Sequence, residues 1–118
     1  MRNTTSNVTG PATGDFTGDW FYVGNMSKAT IMAVATDAAT TGSVKLQVSN
    51  EASPGGPQMP FTPTVYVELS TFSAGLSGTT AVVTSVTDLA YQWARLVFRW
   101  TPGPPTTGTV SAMFAAHD

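Results

Sequence analysis

The run YQWARLVFRW, residues 91 to 100, sets two of the chain's five basic residues, Arg95 and Arg99, among Tyr91, Trp93 and Trp100. Side chains of an extended strand alternate between its faces. Tyr91, Trp93, Arg95, Val97 and Arg99 then share one face, and Gln92, Ala94, Leu96, Phe98 and Trp100 the other. The second set, with Leu96 and Phe98, suits a core. The first alternates rings and cations, which fits several chemistries. Flat rings stack on sugars; rings with arginine stack on single-stranded bases; Trp, Tyr and Arg are the residues enriched among interface hot spots. A purely structural reading stands beside these, because arginine stems cover apolar surface and guanidinium groups stack on tryptophan. The leading expectation is a subunit interface, which makes Tyr91, Trp93, Arg95, Arg99 and Trp100 the candidate interface or ligand-binding residues. A sugar platform of Tyr91, Trp93 and Trp100 is the alternative.

Catalytic constellations are harder to assemble. The one histidine is His117, next to the C-terminal residue of the sequence, and a solvated histidine near a chain end is poorly placed to act as a base. A zinc site lacks a second histidine and any cysteine. Of the seven carboxylates, Asp15, Asp19, Asp37, Glu51, Asp88 and Asp118 lie in or beside turn signals, where such side chains bond to their own backbone, and Glu68 lies in a strand. The run DFTGD, residues 15 to 19, brings two carboxylates round a glycine. It lacks the alternating ligands and closing glutamate of a calcium loop, and a capped turn explains it as well. No glycine-rich phosphate cradle is present. The sequence therefore assigns no catalytic residue, no metal and no cofactor. The acceptor-like triplets beginning at Asn3, Asn7 and Asn25 carry no function in a chain so rich in Thr and Ser.

Composition narrows the partners. Only 10% of the 118 residues are charged and the net charge is −2, against the roughly 25 to 35% that keeps a soluble surface well dispersed. A surface built of Thr, Ser, Ala, Gly and Asn does little to hold copies apart. Five cations are too few to cover a nucleic acid. No apolar run approaches the roughly 20 residues of a membrane helix, and the opening MRNTTSNVTGPATG lacks the apolar stretch of a secretory signal. Neither nucleic acid nor membrane is expected as a partner.

The elements that would position these residues read as short strands between turn signals. Residues 1 to 14 have no apolar periodicity and predict a flexible N-terminal arm, leaving 15 to 118 as one domain. DWFYV (19 to 23) is strand-like. KATIMAVAT (28 to 36) puts Ala29, Ile31, Ala33 and Ala35 on one face of a central strand, and SVKLQVSN (43 to 50) puts Val44, Leu46 and Val48 on the inner face of a half-buried antiparallel strand. EASPGGPQMPFTP (51 to 63) predicts a long loop, TVYVELSTF (64 to 72) a strand with Val65, Val67 and Leu69 inward, and Gly75 and Gly78 its end. TTAVVTSVT (79 to 87), the aromatic run itself and TVSAMFAA (109 to 116) complete the set, with TPGPPTTG (101 to 108) as a second Pro/Gly loop. DLAYQWARL (88 to 96) competes as a helix capped by Asp88, but the β-branched and aromatic residues that follow favour strand. This pattern predicts an all-β chain, an antiparallel β-sandwich or small barrel, with a jelly-roll sandwich as the preferred form.

The order of DWFYVGNMSKATIMAVATDAATTGSVKLQVSNEA, a proline-rich loop, YQWARLVFRWTPG and GTVSAMFAA resembles small β-sandwich virion proteins of tailed bacteriophages. The resemblance spans roughly residues 15 to 116. Its motifs belong to strands and turns, and it carries no functional residue across. It implies a non-enzymatic structural protein, made in the host cytoplasm and assembled into the virion. The foremost role is capsid decoration or cement, with a receptor- or carbohydrate-binding module of a tail or fibre as the alternative. The partners it implies are further copies of the chain, a trimer before other symmetries, and the major capsid protein or other virion proteins.

Overall fold

The structure, a computed structural model, describes residues 3–24, 26–52, 61–86, 89–101 and 108–117. Among them the chain forms β1 (Asn3–Pro11), β2 (Phe16–Thr17), β3 (Phe21–Tyr22), β4 (Lys28–Ala35), β5 (Thr41–Ser49), β6 (Val67–Ser77), β7 (Val82–Val86), β8 (Trp93–Trp100) and β9 (Thr109–His117), with no helix. Sheet I has the order β1-β9-β4-β7, and sheet II the order β2-β8-β5-β6 with β3 also on β8. Every pair is antiparallel. The chain passes repeatedly from one sheet to the other, the strand order of a jelly roll, as expected from the sequence.

Period-two patterning builds the space between the sheets. Ala29, Ile31, Ala33 and Ala35 of β4 and Val110, Ala112, Phe114 and Ala116 of β9 are buried from sheet I; Val44, Leu46 and Val48 of β5 and Ala94, Leu96 and Phe98 of β8 are buried from sheet II. Alanines line much of the first layer, so the larger side chains of the second seat against it at close-packed density. The predicted central strand is central, β4 lying between β9 and β7, and β5 likewise lies between β8 and β6.

Three expectations give way. Residues 3 to 11 of the predicted arm form β1, paired with β9 from Asn3↔His117 to Pro11↔Thr109. Its inner and outer residues alternate in burial, with Thr4, Ser6 and Val8 half-buried and Thr5, Asn7 and Thr9 exposed. Because they do not alternate in polarity, the period is hidden; backbone pairing to β9 supplies the order that apolar side chains do not. The strand predicted over 64 to 72 begins only at Val67 and runs through Gly75 to Ser77. Leu69 packs against the core as expected, but Val65 and Val67 are 73% and 59% exposed, and Phe72, Ala74 and Leu76 are the buried residues. The cause is an irregularity: between the pairs Lys45↔Ser73 and Gln47↔Glu68, β5 advances two residues and β6 five. Thirdly, of DWFYV only Phe21 and Tyr22 are strand.

The Pro/Gly loops lie mostly outside the described residues, as does the proposed cap Asp88. The ends of the first loop are nevertheless tied together. Glu51 accepts hydrogen bonds from Thr64 N at 2.7 Å and Val65 N at 3.0 Å, and Ser49 Oγ donates to Val65 O at 2.6 Å. Those backbone donors, Val65 first, hold the Glu51 carboxyl below its ordinary range.

Candidate functional site

Segment 16 to 22 runs antiparallel to one edge of β8, and its two short pairings are out of step. Thr17 faces Val97 and Phe21 faces Ala94, so four steps on one strand answer three on the other. Gly18 keeps contact by donating to Leu96 O at 2.8 Å, and the extra residue is a bulge. Bulges re-aim side chains: Trp20 comes to lie on the outer face of sheet II, with its ring centroid 4.7 Å from the Arg95 guanidinium carbon. Tyr66, just before β6, takes the same guanidinium at 5.0 Å and meets Trp20 edge-on at 5.5 Å.

From Arg95 a polar chain crosses the sheet. Arg95 Nε donates to Gln47 Oε1 at 2.6 Å, and Gln47 Nε2 donates to Glu68 Oε1 at 3.1 Å. Arg99 NH2 donates to Glu68 Oε1 at 2.7 Å, and Arg99 NH1 to Asp15 Oδ2 at 3.1 Å. Asp15 Oδ1 also accepts from Trp100 N at 2.7 Å. Register explains the order, since Gln47 stands opposite both Arg95 and Glu68. Gln47 is only 4% exposed, and a buried amide is tolerated when both its ends are used. Arg99 keeps the Glu68 carboxyl below its ordinary range chiefly through hydrogen bonding, helped by Gln47 and opposed by desolvation; the Arg99 guanidinium is correspondingly raised by Glu68 and Asp15.

A depressed carboxyl stabilises the fold above its unfolded-state value and ceases to do so as pH falls through the folded value. The pair is 43% and 26% exposed, so the contribution is about 0.5–1 kcal/mol. Glu68→Gln is therefore expected to flatten the acid limb of stability: thermal melts at pH 7 and pH 3 should differ less in the variant than in the parent.

The five residues singled out from the sequence have separate fates. Trp93 is 5% exposed, enclosed by Tyr22 at 5.3 Å and Phe61 at 5.5 Å between ring centroids. Tyr91 and Trp100 are half-buried and pack against the core. Arg95 and Arg99 face outward together with Lys45, Gln47 and Glu68, but Arg95 rests against the Trp20 and Tyr66 rings and Arg99 is neutralised. Gln47, Glu68, Trp20 and Tyr66 were not picked out by sequence. Lys45 and Gln47 alternating with Val44, Leu46 and Val48 place Gln47 on this face; the register that brings it to Arg95 carries no sequence signal. His117 closes β9 opposite Asn3 and Lys28. Asp15 and Asp19 of DFTGD part, Asp15 to Arg99 and Asp19 to the rim of a cleft of about 510 Å³ lined by Thr17, Trp20, Phe61, Thr62 and Arg95. Among the described residues no three His, Cys, Asp or Glu side chains gather as a metal site would require.

The outer face of sheet I is the opposite in character. Thr5, Asn7 and Thr9 of β1, Ser111, Met113 and Ala115 of β9, Thr30, Met32 and Val34 of β4, and Val83 and Ser85 of β7 form four adjacent rows. None is charged; Lys28 and His117 stand at one end. Met32 and Val83, directly opposed, are 42% and 59% exposed.

These features define an antiparallel β-sandwich with one charged and one uncharged outer face. No family model matches the chain, and no curated protein matches it in sequence. Among solved structures it is similar to PirA, with TM-score 0.55 and 10% identity over 94% of this chain and 92% of that one. Others include the SPBc2 prophage-derived protein YomS, with TM-score 0.46 and 13% identity over 98% and 96%. A third is the carbohydrate-binding module CBM36 in complex with calcium and xylotriose, with TM-score 0.40 and 13% identity over 86% and 68%. At such identities the PirA likeness is one of fold.

Proposed function

We propose that this chain is a non-enzymatic structural protein of a phage virion, a capsid decoration or cement protein that associates with a second copy of itself through the outer face of sheet I. The virion context rests on the sequence resemblance. The observation that carries self-association is the uncharged four-stranded face with Met32, Met113 and Val83 in it. Placed against itself across a two-fold axis, such a face brings no like charges together, whereas the outer face of sheet II would oppose its own arginines and carboxylates.

Four strands about 4.8 Å apart, each contributing about seven residues at 3.4 Å, give a projected face of roughly 450 Å², or roughly 900 Å² for a pair. That is the size of a weak, reversible contact, reinforced in a virion by many copies and by the capsid itself. Val65, Tyr66 and Val67, exposed at the β6 edge, offer a second apolar surface for the capsid. Tyr91, Trp93 and Trp100 make a poor sugar platform, because Trp93 is enclosed.

The test is molar mass by light scattering across a concentration series. The parent is expected to rise from monomer towards dimer, and Met32→Glu, which sets two like charges in the contact, to weaken association at least tenfold. Lys45→Glu, on the other face, should change little. A parent that stays monomeric at every concentration would defeat the self-association reading.

A further inference from the structure

The two arginines of β8 are served unequally. Arg99 meets two carboxylates. Arg95 meets none among the described residues: its Nε is used by Gln47 and it rests against the Trp20 and Tyr66 rings, which leaves the terminal NH1 and NH2 groups without an acceptor among those residues. A guanidinium resting against two rings and bonded at Nε loses little further entropy on binding, and its NH2 edge matches a planar carboxylate. Arg95 also lines the cleft of about 510 Å³, a volume within the ordinary range for small-ligand sites. Trp20 lines it too, and its indole N–H, shielded from solvent, has no acceptor among the described residues.

We infer that this cleft binds a carboxylate-bearing saccharide, an acidic sugar unit whose carboxylate is taken by Arg95. The remaining lining chooses sugar over peptide. Trp20 and Phe61 supply apolar wall for a ring face, Thr17 and Thr62 supply hydroxyls, and the exposed Asp19 carboxylate at the rim accepts from sugar hydroxyls rather than from a second acid. The site is distinct from the uncharged face and does not depend on self-association.

Calorimetric titration of the full chain with trigalacturonate, with its methyl ester and with N-acetyl-Gly-Asp-Gly-amide tests this. Trigalacturonate is expected to bind, the ester at least tenfold more weakly, and the peptide not measurably. Arg95→Gln should lose at least tenfold of the trigalacturonate affinity, and Lys45→Gln, a cation removed elsewhere on the same face, less than twofold. The ester comparison uses the parent protein, so it stands even if Arg95→Gln fails to fold. Equal binding of acid and ester, binding unchanged in Arg95→Gln, or no binding of trigalacturonate at millimolar concentration would overturn the inference. Binding of the peptide in its place would overturn the saccharide assignment.

Discussion

Gly42→Ala is expected to cost about 3 kcal/mol and to lower the melting temperature by about 10 °C. Gly42 sits inside β5 with φ of +152°, a region that side chains avoid. A Cβ there would lie 2.5 Å from Arg99 O and 2.8 Å from the ring of Phe98. Neither neighbour can yield: the first is backbone of the paired strand, at the step from Gly42↔Trp100 to Ser43↔Arg99, and the second is buried in the core and packed on Phe16 at 5.3 Å. Gly75→Ala is the control. A Cβ at Gly75 meets nothing within 4 Å, so its removal of backbone freedom should be neutral or should stabilise by about 0.5 kcal/mol. Differential scanning calorimetry of the two variants separates the effects, and equal melting temperatures would mean that the β5–β8 approach is looser than described.

Phe114→Ala should be the larger loss, about 4 kcal/mol. Phe114 is 1% exposed and stands on β9, and its ring lies 4.8 Å from that of Phe21, which pairs with β8 in the other sheet. The contact bridges the two layers, and the alanines around it on β4 and β9 cannot collapse far into the cavity. For a domain of this size 4 kcal/mol is a large share of the roughly 5–15 kcal/mol available. Phe114→Leu keeps most of the volume and forfeits about 1 kcal/mol with the aromatic pair. Urea unfolding of both should give reduced midpoints in that order; a Phe114→Ala midpoint near the parent's would show that the sheets are held elsewhere.

Where apolar and polar residues alternate strictly, the sequence was legible. Val44, Leu46 and Val48, and Leu96 with Phe98, point inward as their spacing dictates. Three features were hidden. β1 carries Val8 as the one apolar side chain among its inward Thr4, Ser6 and Val8, so its order comes largely from backbone pairing to β9, which leaves no trace in side-chain type. Val67, opposite inward Val48, and Leu69, packed on the core, keep the expected side, but an irregularity between Glu68 and Ser73 shifts the period, so that Phe72, Ala74 and Leu76 are the inward residues beyond it. The polar chain through Arg95, Gln47, Glu68 and Arg99 depends on register across three strands. Its components were visible in YQWARLVFRW, SVKLQVSN and TVYVEL, but nothing in any one segment says which residue of the next will stand opposite.

That chain also answers what the concentrated arginines and aromatics of β8 do within the fold. They tie the outer layer of sheet II to segment 15 to 22 and to β6, and Arg95 is left as the cation that faces the cleft. The uncharged face of sheet I is accordingly the surface on which the assembly reading stands.

The most direct test uses the absence of cysteine from the chain. Met113→Cys places one thiol in the middle of that face, between β1 and β4, and Ser73→Cys places one on the outer face of sheet II. Each variant is treated with a short bis-maleimide at concentrations spanning the light-scattering transition. Self-association through sheet I predicts a covalent dimer from Met113→Cys and none from Ser73→Cys. A dimer from Ser73→Cys alone would contradict it and would place the contact on the charged face.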